Sequence, residues 1–115
     1  TARAAIVDND DPTSNVNNIK LEWHRVCAGT AIHYLNAAKN NIDDDALRNH
    51  ELSEAYAFIG NLLHNTSYEL SPQEVEDARA FLGSNFYETT VQNIDDCILF
   101  LVNNTEITLA EVANL

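Results

Sequence analysis

The 115-residue chain has no methionine, not even at position 1, only three glycines, two prolines and two cysteines, and six Lys and Arg against 18 Asp and Glu. Each shortage excludes something. Six basic residues strung out from Arg3 to Arg79 leave no cluster that could hold phosphates, and a net charge of −12 repels them. Nucleic acid is therefore excluded as a partner, and anionic membrane surfaces are disfavoured. The longest apolar run, Cys97 to Val102, falls far short of the roughly 18 residues of a transmembrane segment. A chain that begins at Thr1 without initiator Met or signal peptide is expected to be a processed product or a piece of a longer protein. Few Gly and Pro interrupt it, and its apolar residues recur at helical spacing. The expected fold is all-α, a single antiparallel bundle of four to five helices over residues 1–115.

The punctuation places those helices. Arg3 to Val7 reads as the end of a helix, stopped by the turn-forming run Asp8-Asn9-Asp10-Asp11-Pro12. The next helix is expected from about Asn15–Asn18 to Lys39, burying Ile19, Trp23, Val26, Cys27, Ile32, Tyr34 and Leu35. Asp43-Asp44-Asp45 supplies carboxylates to the first turn of a further helix that runs to about His64 and buries Leu47, Ala55, Phe58, Ile59, Leu62 and Leu63. Ser71-Pro72-Gln73-Glu74 is a capping box with proline at the first helical position, and Gly83 is a natural left-handed stop. Thr89 with Gln92, or Thr90, opens a helix ending at Asn103-Asn104, and Thr108 with Glu111 caps a short last one.

Few residues suggest chemistry. His50 and Glu54 are four apart, about 400° around a helix, so they share a face that continues through Ala57 and Asn61 to His64. Imidazole and carboxylate suit zinc or iron, and bundles build metal sites from facing helices; the same stripe also reads as an ordinary solvated face. His33, between residues that look buried, shares its side with Glu22, Val26, Gly29 and Asn36. It reads as a further ligand, or as a core histidine bonded to a carbonyl or carboxylate across the bundle. The serines lack a Gly-flanked elbow, Cys27 lies on an apolar face, and Asp8 to Asp11 lacks the glycine and the distal Glu of a calcium loop. Asn65-Thr66-Ser67 and Asn103-Asn104-Thr105 match the glycosylation sequon, a pattern expected by chance in an Asn-rich chain. Cys27 and Cys97 are either one disulfide, in an oxidising compartment, or two small core residues.

At Arg3-Ala-Ala-Ile-Val, Thr30-Ala-Ile-His-Tyr-Leu-Asn-Ala-Ala and His50-Glu-Leu-Ser-Glu-Ala-Tyr-Ala-Phe-Ile the chain resembles the C-terminal part of a family of bacterial secreted lipoproteins of unknown function, met mainly in Bacteroidetes and marine proteobacteria. It is also distantly similar to imelysin-like periplasmic proteins associated with iron acquisition. Those carry Gly-x-His-x-x-Glu where this chain has Arg48-Asn49-His50 and Glu54. The resemblance implies half of a larger helical protein and a periplasmic or cell-surface location. It implies a partner that is either the missing N-terminal half or another envelope protein, and it favours the Cys27 to Cys97 disulfide. His33, His50 and Glu54 would be the ligands of iron or another transition metal. The resulting expectation is a non-enzymatic envelope binding protein, metal- or iron-associated. The alternative is a structural or interaction subunit of a cell-surface assembly with no small-ligand site.

Overall fold

A computed structural model of the chain describes residues 1–64 and 70–115, the side chain of His64 excepted. Six helices are present among them: α1 (Ala2–Val7), α2 (Thr13–Asn40), α3 (Asp45–Asn61), α4 (Pro72–Ala80), α5 (Val91–Asn104) and α6 (Leu109–Val112). Short 3-10 turns lie at Leu62–His64 and Phe86–Glu88. The fold is the all-α bundle that the helical spacing called for. The sixth is the stretch read as the end of a helix, Ala2–Val7, which is capped at its start by the Thr1 side chain accepting from the Ala4 amide.

Local signals set most boundaries. Asn9 ends the α1 turn in the left-handed region at φ 58°, which Asn tolerates better than most residues. Asp44 caps α3 by accepting from the Leu47 amide, and Ser71–Glu74, Thr90–Asn93 and Thr108–Glu111 each form reciprocal capping boxes. Thr90, not Thr89, caps α5. The Thr89 hydroxyl is buried and donates instead to the Leu82 carbonyl at 2.6 Å, tying the end of the α4 segment to the start of α5. Gly83, at φ 78°, turns the chain after α4.

The α2–α3 turn is locked by Arg48, a buried guanidinium that donates to the Ile42 carbonyl at 2.8 Å and to Asp45 at 2.7 Å. The helices it joins form an antiparallel hairpin, and α5 runs antiparallel to α2, since Lys39 meets Asp95 at 2.6 Å and Arg25 meets the Glu106 carbonyl at 3.0 Å. Between them lies a core of Cys27, Ala28, Ala31, Ile32, Leu35, Ala38, Leu52, Ala55, Ile59, Leu62, Val75, Ala78, Leu82, Ile94, Cys97 and Leu101. Alanines at 28, 31 and 38 let the α2 backbone come close to its neighbours.

The expected burial of Ile19, Trp23, Val26, Leu47 and Leu63 is the first correction. Ile19, Trp23 and Val26 are 60%, 60% and 52% exposed, and Leu47 and Leu63 also face outward. The core-facing side of α2 begins only at His24; before it Val16, Ile19 and Trp23 are exposed and Leu21 is half-buried. The dimensions, 56 × 27 × 24 Å, express the same fact: residues 13–23 form an arm that projects beyond the bundle.

The Cys27–Cys97 disulfide is the second correction. Both thiols are free and buried at separate places in the core. The Cys97 sulfur donates to the Ala78 carbonyl at 3.3 Å, and burial pushes its pKa up to about 12. Burial raises Cys27 as well, so neither thiol is poised for reaction.

Candidate interaction surface

The three expected metal ligands are not gathered. His50 is exposed and Glu54 half-buried on α3, with Ala57 and Asn61 exposed beyond them. This face is turned away from Leu52, Ala55 and Ile59 in the core. His33 lies on α2, exposed, with its Nδ1 2.6 Å from the Leu115 carbonyl oxygen and its ring edge-on to Tyr34. It makes the carbonyl bond expected of a structural histidine, but from the surface rather than the core. Among the described residues no three His, Cys, Asp or Glu side chains converge as a metal site would require. Asp11, in the run compared with a calcium loop, accepts from the hydroxyl and then the amide of Thr13, which lowers its pKa. The sequon Asn65-Thr66-Ser67 lies outside the described residues.

His33, Asn36, Gly29 and Arg25 do act together, as the seat of the C-terminal segment. Arg25 donates to the Glu106 carbonyl and to the Glu111 carboxylate at 2.7 Å, and Asn36 donates to the Val112 carbonyl at 3.0 Å. At Gly29 an added Cβ would stand 3.7 Å from Ile107 and 3.8 Å from Leu115, ordinary contact, so side chains rather than backbone approach that glycine. Glu111 is held below the usual carboxylate range by the amide and hydroxyl of Thr108, then by Arg25. Beside this seat the His24 ring is buried at 1% exposure; burial lowers its pKa while the charge of Glu106 pulls the other way.

Sequence reasoning missed the feature that stands out most. Val16, Ile19, Trp23 and Val26, spaced 3, 4 and 3, form an exposed apolar stripe along the arm. The buried face of α2, from His24 through Ala31 to Ala38, is turned from it by about 120° at 100° per residue. A shallow groove of about 420 Å³ lies along the stripe, lined by Asn18, Ile19, Glu22, Trp23 and Val26. It shares Glu22 and Val26 with a second groove of about 460 Å³ that extends to Gly29, Ile107 and Leu115. The signal was available in the small-residue series Ala28, Ala31 and Ala38, which marks a closely packed face distinct from the one bearing Trp23.

No family model, no curated protein and no solved structure matches the chain. What the fold and surface define is an acidic all-α bundle with an apolar helical arm and, among the described residues, no cluster of three His, Cys, Asp or Glu side chains that could hold a metal.

Proposed function

We propose that the protein is a non-enzymatic interaction module, which binds another helical surface through the apolar stripe of the α2 arm. One observation carries the reading: the only tryptophan, Trp23, and its neighbour Ile19 are each 60% exposed in one stripe. Monomeric proteins seldom leave large apolar side chains lined up in this way without a use for them. Two buried, unreactive thiols and a solvated His50–Glu54 face offer nothing that competes with it. The periplasmic or cell-surface location implied by the lipoprotein resemblance belongs to the same proposal, as does the role of subunit in a larger assembly.

The test is site-specific photocrosslinking in the native cells, with the probe placed at Trp23 or, as control, at exposed Glu88. A discrete adduct from position 23, absent from position 88 and lost with Ile19→Ser, is expected. If position 23 yields no adduct, the reading fails.

A further inference from the structure

We infer that the occupant of the α2 arm is a second copy of this chain, docked antiparallel about a two-fold axis beside residues 19–23. This rests on the interaction reading above and specifies its partner.

The stripe is its own complement. The spacing 3, 4, 3 reads the same in both directions, so an antiparallel copy sets Val16 against Val26 and Ile19 against Trp23, each pairing made twice. Such an interface is isologous and closes on itself without leaving an unsatisfied patch. A parallel pair would place Trp23 directly against Trp23 and bring both bundles to the same end.

Charge points the same way. Residues 1–26 hold Arg3, Lys20 and Arg25 against Asp8, Asp10, Asp11 and Glu22, which leaves a single net negative charge there; the remaining 11 of the chain's −12 lie in residues 27–115. A basic protein partner would be drawn to that acidic remainder, and an anionic membrane would be repelled by it. A nearly neutral apolar arm is best matched by a surface of the same composition. With Val16 against Val26 the two-fold axis lies at residue 21, so the first residues of the two acidic bodies, position 27 of each copy, lie about 18 Å apart along the paired helices at 1.5 Å per residue. Antiparallel docking therefore keeps the two acidic bodies at opposite ends, separated by more than the screening length of about 8 Å at physiological salt.

Area sets the strength. Four side chains exposed by 39% to 60% supply on the order of 400 Å² per copy, given that one aromatic side chain alone offers 150–250 Å². With the flanking polar residues this reaches the lower end of specific interfaces, roughly 1,200 Å² in total, so a reversible dimer of micromolar affinity is expected. Lys20 and Glu22 lie on opposite flanks of the stripe, and in the antiparallel pair each flank faces its own symmetry mate. Added salt is therefore expected to tighten the dimer rather than loosen it.

Sedimentation of the purified chain across the micromolar range, at low and high NaCl, tests this. A concentration-dependent shift toward twice the 12.8 kDa monomer mass, stronger in high salt, is expected. In the Ile19→Ser, Trp23→Ser double variant the affinity should fall at least tenfold while the helical circular dichroism is unchanged. Mixing Val16→Cys chains with Val26→Cys chains should give a crosslink between positions 16 and 26, in preference to 16 with 16. A wild-type chain that stays monomeric at several hundred micromolar overturns the inference, as does a dimer indifferent to the double variant or one crosslinked mainly 16 to 16. A monomer that still gives a Trp23 photoadduct with a different protein removes the second copy alone, whereas absence of any adduct removes the interaction reading too.

Discussion

The two halves of helix α2 differ more from each other than from the rest of the molecule. From His24 to Ala38 the helix buries eight residues, most of them small or aliphatic, against α3, α5 and the C-terminal segment. From Thr13 to Trp23 it buries none, although it carries Val16, Ile19 and Trp23. The same helical backbone runs through both, so helix propensity does not make the difference. It comes from whether a neighbouring element covers the apolar face.

The strongest way to break the comparison is to truncate each half. Leu35→Ala, at a fully buried position, should cost about 2–5 kcal/mol in denaturant unfolding, whereas Ile19→Ala measured at high dilution should stay within about 0.5 kcal/mol. Equal losses at the two sites would mean that the arm belongs to the core after all.

A second effect lies within the body, where Arg79 donates twice to the Tyr56 carbonyl and lies over the Tyr56 ring at 4.1 Å. It does so across Gly60, where an added Cβ would meet the guanidinium at 2.0 Å. Gly60→Ala should therefore displace Arg79 and lose bonds worth about 1–2 kcal/mol, against a helix-propensity gain of up to about 1 kcal/mol. In an Arg79→Ala background the same change should be stabilising. A double-mutant cycle that shows no coupling would reject this account of Gly60.

The boundary between the two halves is His24, whose burial is expected to make the fold sensitive to acid. Its folded-state pKa lies below the ordinary 6.5 because burial disfavours the charged ring. The stabilisation is thus complete above pH 6.5 and is lost as the pH falls through that value toward the lower folded-state pKa, as the unfolded chain takes up the proton first. Unfolding free energy measured from pH 7.5 to 5.5 should decline in the wild type and decline less in His24→Gln. A parallel slope in the two proteins would show that His24 is not responsible.

The smallest effect is expected at His50. On a solvated face, His50→Ala should change stability by less than about 0.5 kcal/mol, and equilibrium dialysis against Zn²⁺ or Fe²⁺ should show no binding that depends on it. Tight binding abolished by the substitution would restore the metal site.

Much of the fold was legible because helix ends are written locally. Ser71 with Pro72 and Glu74, Thr108 with Glu111, and Gly83 each act within a few residues. Spacing also yielded the core residues Cys27, Ile32, Leu35, Ala55, Ile59 and Leu62. The surface was not legible, because periodicity shows that a helix has an apolar side but not which neighbour covers it. Ile19, Trp23 and Val26 satisfied the pattern for burial and face solvent, while His24, polar and set between them, is buried. His33 was singled out together with Gly29 and Asn36, and these do share a face, but what they hold is the protein's own C-terminal segment. Long-range pairing of that kind, across more than 70 residues, leaves no trace in local spacing.

Trp23 gives the central claim its most direct measurement, since no other tryptophan contributes to the fluorescence. In dilute native protein its emission should lie close to that of the denatured chain, and it should move to shorter wavelength as the concentration rises through the micromolar range. A native emission that is already strongly blue-shifted at nanomolar concentration, and indifferent to further protein, would contradict an exposed arm that docks on a second copy.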